Sequence, residues 1–243
     1  MILDEGYQYG LGVFETLAVY NGKAIFLKEH IKRLNKSLGF LGINKFINED
    51  DINPYLTEEP LDYYGLKILV SEKNLIIIKR EIPYKKSDYD RGFIIDFSRI
   101  RSNQTSPFVY HKTFNYGECI MEKRNASKMG LDDMLFLNWN KEICEATTCN
   151  IFFVKSSQIF TPQISCGILP GIIRDYICQN FDVVETIITP ADLPDYDECF
   201  VTNSLMGVMP VQRLAEKSFV KRDITDMISD SYFKNILGLD YLP

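Results

Sequence analysis

The sequence predicts an α+β protein built in two parts. Three observations carry that expectation. Many short apolar or alternating runs of strand length are bounded by turn residues, and only a few segments repeat with a helical period. Strands and helices do not alternate regularly, so a doubly wound parallel sheet is not expected. A polar, unperiodic stretch, RIRSNQTSPF, with Pro107 inside it, divides the chain near its middle.

The first part opens with GVFETLAVYNGKAIFL, which reads as a hairpin because two β-rich runs flank Asn21-Gly22. A helix follows, since Leu27, Ile31, Leu34, Leu38 and Leu41 recur at spacings of four and three, and Gly42 ends it. Residues 48–56 form a weaker helical segment. GLKILVSEKNLIIIKREIPY reads as a second hairpin and GFIIDFSRI as one more strand, which completes a small α+β domain over residues 1–102. Residues 103–109 are the linker.

The second domain, residues 110–243, begins with a helix over about 113–128. Short strands follow at DMLFLN, ICEA, NIFFVK and QIFTP. A helix starts near Gly171 with Ile173, Tyr176, Ile177 and Phe181 on one face. Strands at DVVETII and ECFVTN lead into VMPVQRL, and a last helix covers about 224–236. So many short strands with so few helices make this domain barrel-like.

Composition excludes several functions. The formal net charge of −6 over 243 residues comes without any basic block, so no nucleic-acid partner is expected. The six cysteines form no C-x-x-C pair and only His30 and His111 could join them, so neither a metal site nor a disulfide framework is expected. There is no basic leader before an apolar run and no stretch of about 18 apolar residues, so a cytoplasmic protein away from membranes is expected.

Five constellations could carry chemistry. In FVYHKTFNYG, Lys112 lies among residues suited to a pocket floor; the bland alternative is a strand-end lysine in water. In ICEATTCNIFFV, Glu145 sits between apolar and small residues, where a carboxylate needs a partner. That partner is either a nearby basic side chain or the protonated ring nitrogen of a cofactor. In GILPGIIRDY, Pro170-Gly171 precedes a helix whose first amides are unpaired, an anion site suited to phosphate. Arg33 in HIKRLNKS lies off the leucine stripe, facing solvent or an anion. Thr202, Asn203 and Ser204 end a strand with hydroxyl and amide donors, as a loop or as an anion cradle. Together these supply an amine, a ring-nitrogen partner, a helix N-terminus, an arginine and hydroxyls, the parts that a pyridoxal phosphate site requires.

The order of motifs also resembles the class IV (fold-type IV) PLP enzymes, which include branched-chain aminotransferases, D-amino acid aminotransferases and 4-amino-4-deoxychorismate lyases. The pieces are YGLGVFET, HIKRLNKSL, HKTFNY, EATTCNIF, GILPGIIRDY and FVTNSLMGVMPV, running from about Gly6 to Leu214. The resemblance implies a small N-terminal α/β sandwich domain and a larger C-terminal pseudo-barrel with pyridoxal 5'-phosphate between them, and a homodimer. Lys112 is similar to the lysine that bonds the cofactor and shuttles protons, and Glu145 to the carboxylate on the pyridine nitrogen. Arg33, the amides of Ile172 and Ile173, and Ser204 resemble the phosphate clamp, and Tyr116 a tyrosine at the ring oxygen. The family usually begins with a further strand before the YG-G-FE motif; this chain starts nearly at the motif, which implies a weaker edge on the first domain.

TNSLMGVMPV looks most like the lyases, and LVSEKNLII lacks the arginine and histidine of the D-amino acid enzymes. The resemblance therefore implies release of pyruvate from 4-amino-4-deoxychorismate to leave p-aminobenzoate. Lys112 or Thr16 would deliver the proton to the leaving group, and Asn203 and Leu205 would face the substrate. A class IV aminotransferase acting on branched-chain or D-amino acids is the alternative. A PLP-free binding relative is a further reading, against which Lys112 and Glu145 together argue.

Overall fold

The computed structural model describes residues 1–56 and 63–238, in two compact units. The first comprises 1–83 and 111–117, the second 84–110 and 118–243. Asp4 caps α1 (Glu5–Tyr9) through the amides of Gly6 and Tyr7. Its carboxylate also accepts from Ser71 Oγ at 2.6 Å, from the Lys73 amide and from Asn74, contacts that tie the N-terminus to the turn over residues 71–74. Those donors, Ser71 first, hold the Asp4 carboxyl at about 2.

The first hairpin is β1 (Gly12–Tyr20) and β2 (Lys23–Ala24). Asn21 and Gly22 both take positive φ, 48° and 74°, as a turn matching the strand twist requires. Then come α2 (Leu27–Phe40), the short α3 (Glu49–Ile52), and the second hairpin of β3 (Tyr63–Ser71) and β4 (Leu75–Arg80). The four strands form an antiparallel sheet in the order β2-β1-β3-β4. Val13, Leu17 and Val19 of β1 pack with Leu66, Ile68 and Val70 of β3 against Ile31, Leu34 and Leu38 of α2, the expected leucine stripe. Each such side chain contributes about 1.5–3 kcal/mol by leaving water.

The second unit starts with α4 (Lys86–Arg91), which the sequence pattern did not announce, and β5 (Phe93–Ser102). β5 is the GFIIDFSRI strand expected to complete the first domain. It pairs in parallel with β6 (Asp133–Asn138) and β12 (Gly207–Leu214). The units therefore divide at Pro83 and Tyr84, well before residue 102, because strand pairing outweighs order along the chain. The expected linker, 103–109, lies in the second unit and runs into a 3₁₀ turn over Pro107–Tyr110.

Residues 111–117 return to the first unit before α5 (Gly117–Lys128). The expected helix over 113–128 starts later because the backbone of 112–114 is engaged elsewhere. Thr113 forms an antiparallel bridge with Val13, the Phe14 amide donates to the Lys112 carbonyl, and the Phe114 amide to Gly12. The remaining elements are β7 (Ile143–Ala146), β8 (Asn150–Lys155), β9 (Gln158–Pro162), α6 (Ile172–Asn180), β10 (Val183–Thr186), β11 (Glu198–Asn203), β13 (Lys217–Ser218) and α7 (Asp223–Tyr232). A π-helical turn over Phe233–Leu237 completes the last expected helix.

These strands build a nine-stranded sheet in the order β10-β9-β8-β11-β12-β5-β6-β7, with β13 on β12. Its interior is aromatic; Phe152 and Phe200 are fully buried and stack with centroids 4.8 Å apart. A tight turn, closed by the Ala146 amide on the Cys149 carbonyl, carries β7 directly into β8, and so curls the sheet. No helix among the described residues is long and apolar enough to cross a membrane.

Candidate active site

In the first unit the site is built on β1. Strand alternation sends Val13, Glu15 and Leu17 towards α2, and Phe14 and Thr16 to the opposite face. Segment 112–114 is held along β1 by the contacts given above. Gly12 permits the approach, since a Cβ there would collide with the Phe114 ring. Lys112 is half-buried, and its Nζ lies 4.6 Å from the centroid of Phe14 and 4.9 Å from that of Tyr116. The two rings meet edge to face at 5.1 Å. An amine is thus held in an aromatic cradle, and Thr16 lies on the same strand face as Phe14.

Lys67 occupies the same neighbourhood. Its backbone pairs with Thr16, and cross-strand partners share a face. Its Nζ lies 5.0 Å from the Phe14 centroid. Burial and then the Arg80 charge push the Lys67 ammonium below its ordinary range, and among the described residues no carboxylate pairs with it. A half-buried cation without an acid is a ready receiver of an anion.

Behind β1, Arg33 is clamped by Glu15. Arg33 Nε and Nη2 donate to the two carboxylate oxygens at 2.7 and 2.8 Å, and His30 Nδ1 meets Glu15 Oε2 at 2.7 Å. Glu15 and His30 are fully buried. Burial alone would raise the Glu15 carboxyl, but the charges of Arg33 and His30 prevail and hold it well below the usual carboxylate range. The guanidinium expected at a phosphate is therefore fixed in direction by a buried carboxylate.

Burial pushes the His30 imidazole down, and Glu15 only partly offsets this. A group with a depressed folded-state pKa contributes stability that is complete above its unfolded value, about 6.5, and declines as pH falls below it. The thermal midpoint is expected to drop on acidification from about pH 7 to 5, and to drop less in His30→Gln. His111, also pushed down by burial, leaves a residual slope. Parallel melting curves for the two proteins would refute this account.

The second unit holds the other predicted groups. Glu145, half-buried at the end of β7, accepts from the Leu169 amide at 3.0 Å and from Asn150 Nδ2 at 3.0 Å. Asn150 also donates to the Leu169 carbonyl and so ties the carboxylate to the segment entering α6. Gly171 is the N-cap of α6 and supplies no side-chain cap, which leaves the first-turn amides of Ile172 and Ile173 for an anion. A Cβ at Gly171 would collide with Asn150 Oδ1, so glycine is required there. Ser204 sits in the turn after β11 and, among the described residues, makes no side-chain hydrogen bond. A carboxylate, an uncapped helix start and a hydroxyl are the donor and acceptor set that a protonated ring bearing a phosphate needs.

Asn203 is committed to its own turn. Its Oδ1 accepts from the amides of Leu205 and Met206, and its Nδ2 meets Tyr84 Oη at 3.0 Å. Leu205 is buried. Four residues escaped the sequence reading: Glu15, His30, Lys67 and Asn150. Glu15 carries a signal in retrospect, a carboxylate on the apolar face of an alternating strand. His30 likewise adjoins Ile31 on the buried side of α2. Lys67 and Asn150 carry none, because their roles depend on cross-strand and loop neighbours.

The chain is similar to known proteins over most of its length. The family model "Amino-transferase class IV" matches residues 12–214. A Rickettsia bellii protein named "Probable branched-chain-amino-acid aminotransferase" is 29% identical over 262 residues, spanning 97% of this chain and 90% of that protein. The aminodeoxychorismate lyase of Bacillus subtilis is 25% identical over 246 residues, spanning 89% of this chain and 82% of its own. The crystal structure of the Pseudomonas aeruginosa 4-amino-4-deoxychorismate lyase shares the fold, with a TM-score of 0.85 at 20% identity over 99% of this chain and 96% of that one.

Proposed function

Because the chain belongs to the class IV aminotransferase family of fold-type IV, PLP-dependent enzymes, we propose that it is a lyase releasing pyruvate from 4-amino-4-deoxychorismate to leave p-aminobenzoate. The observation that carries the choice is Lys67. It is a half-buried ammonium with no acid partner among the described residues, cross-strand from Thr16 and over the same aromatic ring as Lys112. Such a cation suits a substrate whose carboxylate lies away from the reacting amine, as in aminodeoxychorismate. The carboxylate of a simple amino acid adjoins its amine carbon.

The residues fit pyridoxal 5'-phosphate. Lys112 would bond its aldehyde carbon, Glu145 its ring nitrogen, and the amides of Ile172 and Ile173, with Ser204 and Arg33, its phosphate. Tyr116 would lie at the ring oxygen. The bound cofactor supplies an electron sink for a carbon losing its proton. Lys112 Nζ would remove that proton, and Glu145, oriented by Leu169 and Asn150, would hold the ring nitrogen in its protonated form. Lys67 holds the remote carboxylate. Thr16, on the same strand face, or Lys112 returns a proton to the departing enolpyruvyl group, which leaves as pyruvate. The same reading makes the protein a cytoplasmic homodimer, in which a second copy covers the exposed Met1, Ile2, Leu3, Tyr7 and Tyr9.

The test compares pyruvate release from aminodeoxychorismate with 2-oxoglutarate-dependent turnover of leucine and D-alanine. Release of pyruvate should dominate. Lys67→Met should raise KM for the lyase substrate about tenfold or more with little change in melting temperature, since a charged hydrogen bond is worth about 1.5–3 kcal/mol. Turnover of amino acids alone would replace the lyase by a transaminase. That second reading is favoured by the Rickettsia relative's name.

A further inference from the structure

The second unit contains a cleft of about 560 Å³ whose lining includes none of the residues assigned to the cofactor. Cys199, near the start of β11, lines it, whereas Ser204 follows the end of that strand. Five residues of extended chain separate them, roughly 16 Å. The floor is apolar, with Val211, Phe219 and Cys199 all buried. The rim is cationic: Arg91, Arg213, Lys221 and Arg222 line it, and Asp90 is the one acid there among the described residues.

Most of these charges are already matched. Arg91 is held by Asp132, Arg222 by Asp226, and Lys221 loosely by Asp197 at 3.3 Å. Both oxygens of Asp90 accept from Lys86. Arg213 differs. It is half-buried, its Nη1 donates to the Ala215 carbonyl at 2.7 Å, and among the described residues no carboxylate pairs with it.

The backbone is also shaped at this point. The parallel pairing of β12 with β5 shifts register between Val211 and Arg213, leaving Gln212 as an extra residue. Bulges of this kind re-aim side chains and are rare between parallel strands. The facing residue is Gly92 at φ +79°, where a Cβ would stand 3.0 Å from the Gln212 amide nitrogen. Only glycine meets both demands.

We propose that this cleft binds a small organic carboxylate with an apolar body, its anionic end on Arg213 and its body on Val211 and Phe219. A guanidinium whose one partner among the described residues is a carbonyl keeps the planar edge that pairs with a carboxylate. The class includes acids of the kind that the family's enzymes release, and the inference stands whichever reaction the active site performs.

The experiment titrates benzoate into the full chain loaded with pyridoxal phosphate, by calorimetry and ligand-observed NMR. Binding should saturate, and should weaken at least about tenfold in both Arg213→Ala and Arg213→Glu while Lys67→Met leaves it unchanged. Acetate, with the same charge and no apolar body, and inorganic phosphate should bind more weakly. The proposal falls if binding does not saturate or if both Arg213 variants bind as the parent does. It falls equally if the loss appears in Lys67→Met, which would put benzoate in the active site, or if acetate or phosphate matches benzoate. The Arg213 side chain is not part of the core, and an unchanged melting temperature in both variants verifies their fold.

Discussion

Lys112→Ala is expected to lower turnover by at least about three powers of ten on any substrate the enzyme accepts, the scale of a lost proton-transfer group compounded by a lost covalent anchor. The near-visible absorption of lysine-bound pyridoxal phosphate should disappear in the same variant. The substitution is a clean one. The position is anchored by its backbone, through the Phe14 amide on the Lys112 carbonyl and the bridge from Thr113 to Val13, and neither depends on the side chain. Circular dichroism and melting temperature should therefore change little. Lys112→Arg separates charge from chemistry. It restores a cation beside Phe14 and Tyr116 but no amine that can lose its proton, so it should stay inactive. Retention of activity within tenfold in either variant would remove the amine from the reaction.

Glu145→Gln should reduce turnover by about 10²–10³ while leaving the cofactor bound, because the lost charge acts on the transition state and the phosphate contacts remain. The geometry makes the isosteric change severe. Both carboxylate oxygens already accept, one from the Leu169 amide and one from Asn150 Nδ2. A glutamine can present an acceptor to only one of them, and its amide group then confronts a donor. The same variant tests whether the ring nitrogen is protonated. The absorption of the bound cofactor should shift in Glu145→Gln and should not in Ser204→Ala, whose hydroxyl is proposed to meet only the phosphate. Unchanged kcat and an unchanged spectrum in Glu145→Gln would assign the carboxylate to structure only.

The chemistry-bearing residues were unevenly visible along the chain. Lys112 stood out because a lysine among Phe114, Asn115 and Tyr116 is unusual, and Glu145 because apolar neighbours flank it. The helix start at Gly171 was readable from Pro170-Gly171 and the amphipathic run that follows. Arg33 was visible only as a residue off its helix's apolar stripe, and its clamp by Glu15 and His30 was not visible at all. Glu15 and Arg33 are 18 positions apart and meet because a strand and a helix pack face to face. Lys67 reads as one more strand lysine until pairing sets it opposite Thr16.

The sequence by itself determined the α+β class, the two hairpins, the stripe of Ile31, Leu34 and Leu38 and most strand positions, and it singled out Lys112 and Glu145 as the candidate amine and carboxylate. Those features rest on periods of two and 3.6 residues, on turn chemistry and on the spacing of a few reactive side chains, all of which act within a short window of chain. Only the tertiary structure decided that β5 joins the nine-stranded sheet, that residues 111–117 return to β1 and delay α5, and that Glu15 orients Arg33. The physical reason is that strand pairing and the burial of charge depend on partners distant along the chain. The gain from joining a sheet's interior or matching a buried carboxylate outweighs the local preferences that sequence patterns record.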